Sequence, residues 1–255
     1  MGSIQKSRYT EQKEMYNMIK ITNTEVFGWD AAIRGMRNPM NSWDKSDSEW
    51  CLGWCDACPA KDKDCKSSAQ YPEFVVGVND LDLMKKLVTA GSDHAKFMRM
   101  INVTMDITAP LYWWKECDTY KVGTVANSCS TMHKIADKEF KLDDFSHEHL
   151  TPAAIATIRT VIERLNFARK EFLKGRKGSE FGMPSAKEYW WDMIQLLPSS
   201  YNQKRTVQLN YAVLRNMYHA RRNHKLDEWR DFCSWVESLP YAELITLGGN
   251  DNGKD

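Results

Sequence analysis

The sequence predicts a single α+β domain over residues 1–255, and three observations carry this prediction. Residues 97–108 alternate apolar and polar side chains, which is typical of a β-strand. Residues 151–175 place apolar side chains at intervals of three and four, which is typical of an amphipathic helix. The chain has no internal repeat and no obvious linker between two cores, and its length suits one domain with a substantial core.

The first third of the chain has weaker patterns. Residues 11–43 mix an early helical pattern with turn-forming residues. Residues 44–79 have the composition of an irregular insert, with four cysteines and two prolines. A short helix is predicted at 80–91, where Asn79 or Asp80 can serve as the N-cap.

The remaining two thirds are predicted to be rich in helices after the strand at 97–108. Pro110 can begin the next helix, because the first turn of a helix needs no N–H from it. Thr151 is the predicted cap of the long helix, and Pro152 is its first residue. Further helices are predicted at 186–197, 206–222 and 226–239, and a disordered tail at 248–255.

Composition excludes several classes of function. Thirty-five basic residues balance 34 acidic ones, so the chain lacks the positive field typical of nucleic-acid binding, and an anionic ligand needs a local cluster of cations. No apolar run approaches the roughly 20 residues that span a bilayer, and the N-terminus lacks an apolar signal core. We therefore expect a cytoplasmic protein with reduced cysteines.

Four cysteines in the insert form a candidate metal site. Four thiolates within a short loop can close tetrahedrally around Zn²⁺ or hold an iron–sulfur cluster. A loop of reduced thiols without metal is the equally weighted alternative. The candidate ligands are Cys51, Cys55, Cys58 and Cys65.

The segment 114–130 is the densest candidate for a ligand-binding site. Lys115 and Lys121 could neutralise a phosphate, and Ser128 could donate a hydrogen bond in a turn. Glu116 and Asp118 could act as acid or base groups if they are desolvated. A solvated helix followed by a polar loop is the alternative.

Two further positions bear on ligand binding. His94 follows the predicted helix at 80–91 and precedes the strand and the polar segment. Arg215 and Arg221 belong to a basic helical segment, and guanidinium groups present forked donors that suit phosphate. A solvated basic helix is an equally simple interpretation of any one arginine.

The chain resembles the flavin-dependent thymidylate synthase family over about half its length. Asp93-His94 and Phe97 stand where that family has Glu-His followed by Phe, and Thr119-Tyr120 stands where it commonly has Ser-Tyr. The segment 206–222, with the Asp-Glu-Trp-Arg that follows it, resembles the Asn- and Arg-bearing helix and closing Trp/Arg segment of the family. The resemblance lies in pattern more than in identity.

This resemblance implies a mixed sheet flanked by several helices, a helix-rich C-terminal half and a homotetramer with sites between subunits. The main departure concerns the Arg-His-Arg signature, which helps to bind FAD in the family. Trp114-Lys115-Glu116 stands in its place. Glu116 inverts the charge where an anionic cofactor would lie, which argues against an ordinary FAD site.

The function implied is that of a divergent enzyme that transfers a one-carbon or related group to the base of a deoxyuridylate-like pyrimidine nucleotide. Tyr120 would stack on or hydrogen-bond the base, with Glu116 or Asp118 handling protons. The resemblance places His94, Lys115 and Asn210 at the cofactor, and Lys121, Ser128, Arg215 and Arg221 at the nucleotide. Two alternatives stay open, which are a non-catalytic nucleotide-binding protein and a metal-bearing interaction module organised by the four cysteines.

Overall fold

A computed structural model of the chain describes residues 18–51, 73–177 and 182–248. The strands are β1 (Lys20–Phe27), β2 (Glu49–Cys51), β3 (Glu73–Val75), β4 (Asn102–Pro110), β5 (Val125–Ser128) and β6 (Asn202–Asn210). The helices are α1 (Trp29–Arg37), α2 (Val78–Ala90), α3 (Leu111–Cys117), α4 (Pro152–Leu173), α5 (Ala186–Gln195), α6 (Tyr211–Arg221), α7 (Asp227–Glu237) and α8 (Glu243–Thr246). Among these helices, none is long and apolar enough to cross a membrane.

The predicted α+β class is confirmed, and the main sheet has the strand order β1-β4-β6-β5. Every pairing between its described strands is antiparallel, rather than the mixed arrangement that we expected. The two central strands pair along their full length, from Asn102 opposite Asn210 to Pro110 opposite Asn202. In β4, Val103, Met105 and Ile107 point into the core, because successive side chains of a strand alternate between the two faces.

The buried side chains of the described residues form two hydrophobic clusters. The larger cluster joins the inner face of the sheet to α1, α2, α3, α6, α7 and α8. The smaller cluster packs α4 on α5 around Leu165 and Met193, and Phe145 joins it from the preceding loop. The helix α3 follows β4 directly. Its Trp114 donates to the backbone of β6 and its Trp113 packs on Trp229 of α7, so α3 lies between the sheet and α7.

The helices with strong local signals form where the sequence predicts them. The predicted helices at 151–175, 186–197 and 226–239 correspond to α4, α5 and α7. The Thr151 hydroxyl caps α4 by accepting a hydrogen bond from the backbone N–H of Ala154. In α5, Ser185 and Glu188 form a reciprocal capping box that satisfies first-turn donors.

Two strands were missed in segments predicted to be helical. The prediction of a helix at 206–222 is wrong for its first five residues, which belong to β6, and the helix α6 begins only at Tyr211. Likewise, β1 occupies part of the segment 11–43. Both strands pair with β4, and such long-range pairing overrides a weak local preference.

The N-terminus of α2 is capped from a distance. Neither Asn79 nor Asp80 acts as the N-cap; the carboxylate of Asp47 accepts the backbone N–H groups of both residues, at 2.9 and 3.0 Å. The first part of the predicted insert therefore folds against α2. Residues 52–72 of the insert and 249–255 of the predicted tail lie outside the described residues.

Candidate functional site

The C-terminal end of α3 carries the candidate site. The helix begins directly after Pro110, at the end of the central strand β4. Trp113 and Trp114 of this helix are both fully buried in the larger hydrophobic cluster. Their packing fixes the orientation of the short helix. The last turn of α3 and the turn after it consequently present Glu116, Asp118 and Tyr120 to α6, α7 and β6.

The structure brings Glu116, Tyr120 and Arg221 together. The Nη1 of Arg221 donates to the Oε2 of Glu116 at 2.8 Å, and its Nε donates to the hydroxyl of Tyr120 at 2.9 Å. The side chains of Arg221 and Glu116 are 20% and 34% exposed, so solvent screens this ion pair only in part. A guanidinium held at two edges has a fixed orientation.

Trp229 and His224 complete this cluster, and sequence reasoning missed both as site residues. The indole Nε1 of Trp229 donates to Glu116 Oε2 at 3.0 Å, and His224 Nε2 lies 3.3 Å from the same oxygen. The guanidinium of Arg221 lies 4.9 Å from the centroid of the Trp229 ring, which adds a cation–π interaction. The only signal for Trp229 was its place in the Asp-Glu-Trp-Arg segment.

A second arginine–carboxylate pair lies on the other side of the helix end. Arg205 of β6 donates to Asp118 at 2.8 Å and to Gln203 at 3.0 Å, and its guanidinium lies 4.2 Å from the centroid of the Trp114 ring. Ser128, at the end of β5, is the register partner of Arg205. The end of α3 and the strand β5 therefore bring Asp118 and Ser128 to the same arginine.

Cys117 lies between these two pairs. Burial raises the pKa of its thiol to about 12, Asp118 adds to this rise, and Arg205 and Arg221 oppose it. Because the thiolate is the nucleophilic form, Cys117 is a packing residue rather than a nucleophile.

The predicted lysines and His94 are exposed. Lys115 lies in the last turn of α3, and Lys121 follows the turn at Tyr120. Within residues 18–51, 73–177 and 182–248, neither lysine forms an ion pair. His94 lies in the turn after α2, and no hydrogen bond or ion pair joins it to the described residues of the α3 cluster. The structure thus leaves two exposed cations beside the paired arginines.

The side chains of Asn210 and Arg215 form hydrogen bonds with backbone groups. Asn210 is the N-cap of α6, and its side-chain oxygen accepts the N–H of Val213 at 3.1 Å. The Nη1 of Arg215 donates to the carbonyl of Ile245 at 3.0 Å, at the end of α8. Both side chains have structural partners, and their predicted ligand contacts stay predictions.

The four-cysteine site remains a prediction. Cys51 ends β2 and is half-buried, whereas Cys55, Cys58 and Cys65 lie outside the described residues. In the part of the chain that the structure describes, no three His, Cys, Asp or Glu side chains are grouped to hold a metal ion.

The comparisons with known proteins support the fold. No protein-family model and no curated protein matches the sequence. The structure is similar to that of thymidylate synthase X (ThyX) from Helicobacter pylori with FAD and dUMP, at a TM-score of 0.55 and 15% identity over 89% of this chain and 95% of that one. A second structure, flavin-dependent thymidylate synthase ThyX from Helicobacter pylori complexed with FAD and dUMP, is similar at a TM-score of 0.55 and 15% identity. The match covers 88% of this chain and 96% of that one. This chain therefore has a ThyX-like fold.

Proposed function

We propose that the chain binds a pyrimidine nucleoside monophosphate similar to deoxyuridylate at the end of α3, and modifies its base. The observation that carries this proposal is the hydrogen bond from Arg221 to the hydroxyl of the half-buried Tyr120, which places a guanidinium beside an aromatic ring. Guanidinium donors suit a phosphate, and aromatic rings suit a base. The two structures of similar fold were determined with dUMP, which supports the same class of ligand.

Charge also favours an anionic ligand at this place. Arg205, Arg221, Lys115 and Lys121 outnumber the two carboxylates Glu116 and Asp118 within the same segment and its partners. The near-neutral chain therefore carries a local excess of positive charge, which attracts anions over roughly a Debye length of about 8 Å. A phosphate bound at Arg221 would gain from this local excess of positive charge.

Binding tests this proposal directly. We expect dUMP to bind saturably in isothermal titration calorimetry, and dGMP to bind at least about tenfold more weakly. Arg221→Gln should abolish binding because it removes the forked donor. Arg164→Gln is the matched control, since Arg164 forms a 2.7 Å pair with Asp192 and lies over the exposed ring of Phe167 on α4. Absence of dUMP binding, or an equal loss in both variants, would contradict the proposal.

The finer proposal is that a one-carbon or related group is transferred to the base. Because one oxygen of Glu116 already accepts from Arg221 and Trp229, Asp118 is the better placed group for proton transfer. Its side chain is 49% exposed and held by Arg205. Mass spectrometry of dUMP after incubation with a reduced folate that carries a one-carbon unit tests this step, and an unchanged nucleotide mass would contradict it.

The resemblance assigns three residues to FAD. His94, Lys115 and Asn210 lie on separate elements, and the Asn210 oxygen is occupied in capping α6. The observation favours a second candidate function, which is a nucleotide-binding protein without flavin chemistry. An absorbance spectrum of the purified protein separates the two, because bound oxidised flavin absorbs visible light.

Assembly and location belong to the same proposal. We infer a homotetramer in the cytoplasm from the resemblance of the sequence to a family that forms its sites between subunits. Light scattering during size-exclusion chromatography tests the tetramer, and a monomeric mass would contradict it.

A further inference from the structure

The guanidinium of Arg221 is occupied by the chain itself. Its Nη1 donates to Glu116 Oε2 at 2.8 Å, and its Nε donates to the hydroxyl of Tyr120 at 2.9 Å. Its guanidinium carbon lies 4.9 Å from the centroid of the Trp229 ring. A ligand anion that uses the same forked donor must therefore exchange with a partner already in place.

The partner that can be exchanged is Glu116. Its Oε2 accepts from Arg221 and Trp229 and lies 3.3 Å from His224 Nε2, so two donors and an imidazole nitrogen meet at a single carboxylate oxygen. An oxygen of a phosphate at this position would meet the same three groups. Glu116 is 34% exposed and belongs to the last turn of α3, so its side chain can turn toward solvent without unfolding the helix.

We propose that Glu116 is an internal competitor for the phosphate of the nucleotide, and that binding exchanges this carboxylate for the phosphate at Arg221. This inference rests on the proposed function and names how the same site is regulated. Apparent affinity falls by the fraction of molecules in which the site is competent. The wild-type chain therefore binds nucleotide more weakly than the donors around Arg221 allow, and removal of the competing charge increases affinity.

The competition is local rather than a matter of net charge. Asp192 forms a 2.7 Å pair with Arg164, and the guanidinium of Arg164 lies 5.2 Å from the centroid of the Phe167 ring. This arrangement matches the Glu116–Arg221 pair in chemistry but joins α4 to α5 at the surface. Removing the Asp192 charge changes the net charge equally and leaves Arg221 occupied.

The test measures dUMP affinity by calorimetry in the wild type, Glu116→Gln and Asp192→Asn. Glutamine keeps an oxygen that can accept from Trp229 Nε1, so the fold around α3 is retained. We expect Glu116→Gln to bind dUMP at least about tenfold more tightly than the wild type, because a neutral amide competes poorly for a guanidinium. Asp192→Asn should bind like the wild type. Glu116→Ala, which removes the competitor altogether, should bind more tightly too and serves as the second variant.

Three results would overturn the inference and are distinguishable from one another. If the wild type binds dUMP while Glu116→Gln and Glu116→Ala bind equally or more weakly, Glu116 does not compete, and the proposed function stands. If neither the wild type nor any variant binds dUMP, the proposed function fails and the inference fails with it. A gain of the same size in Asp192→Asn would show a net-charge effect and would also overturn the inference.

Discussion

Arg37 and Asp80 form a buried ion pair that fastens α1 to α2. The Nη2 of Arg37 lies 2.6 Å from Asp80 Oδ1, and the two residues are 4% and 0% exposed. The hydroxyls of Ser46 and Ser48 both donate to Asp80 Oδ2 at 2.6 Å. Because Ser46 and Ser48 belong to the predicted insert at 44–79, the pair also anchors the first part of this insert.

Asp80→Asn should strongly destabilise the protein. It leaves Arg37 buried without its counter-charge, and breaking a buried pair in this way costs about 3–5 kcal/mol. Asp30→Asn is the matched control. Asp30 pairs with Arg34 on the surface of α1, the helix that carries Arg37, and both side chains are about half exposed or more. That control should cost less than ~1 kcal/mol. Urea unfolding measures both, and similar costs would contradict the expectation.

The same pair makes stability depend on pH. Burial alone would raise the pKa of Asp80, but hydrogen bonds from Ser46 and Ser48 and the pairing with Arg37 outweigh it, so the pKa lies below its ordinary value. A depressed pKa contributes stability above the unfolded-state pKa of about 4, and this contribution is lost as the pH falls through the folded-state pKa. The free energy of unfolding of Asp80→Asn should therefore fall less steeply below about pH 4 than that of the wild type. Equal slopes of the free energy of unfolding against pH below about pH 4 in the two proteins would contradict this.

A buried carboxylate links α7 to the first turn of α3. Glu228 is 1% exposed, and it accepts a hydrogen bond from the hydroxyl of Tyr112, which also lies 2.9 Å from Ser146 Oγ. Tyr112→Phe should cost about 1–3 kcal/mol because it removes a donor from a buried charge. Tyr218→Phe is the control, since its partner Glu237 is exposed. Thermal unfolding should separate the two variants, and equal losses would show that burial of Glu228 does not matter.

Gly28 is required by space as well as by backbone conformation. Its φ is +95°, and a Cβ there would lie 2.1 Å from the carbonyl oxygen of Met100. Gly91 has a φ of +119° with nothing within 4 Å of a Cβ. Gly28→Ala should therefore be less stable than Gly91→Ala by at least about 1 kcal/mol, since only the first overpacks its surroundings. A comparison of unfolding midpoints checks this, and equal midpoints would contradict it.

The sequence predicted elements whose signals are local. The long helix α4 has its own cap at Thr151 and its own apolar stripe, and both signals lie within the segment itself. In contrast, β6 shows its role only through its pairing with β4, about a hundred residues earlier. Sequence reasoning therefore extended α6 backwards into a strand.

The same limit applies to the site. Glu116 and Tyr120 are neighbours in the chain and were predicted together. Arg221 is 105 residues from Glu116, and the resemblance to a known family placed it in the site. Trp229 is fully buried, and a single tryptophan on an apolar helix face is usually a core residue. Its hydrogen bond to Glu116 depends on the packing of α7 on α3, which no local pattern encodes.

Lys115 provides the last test, because it is the one cation that stands at the signature position of the resemblance. It is exposed in the last turn of α3, next to Glu116. If it contacts the phosphate, Lys115→Ala should weaken dUMP binding at least about tenfold, or ~1.4 kcal/mol. Stability should change little, because an exposed lysine without an ion pair among the described residues contributes little to folding. Lys187→Ala, at an exposed position of α5, controls for the loss of one positive charge. An unchanged dissociation constant for Lys115→Ala would remove this residue from the site, and an equal loss in Lys187→Ala would mean that only the overall charge of the protein matters.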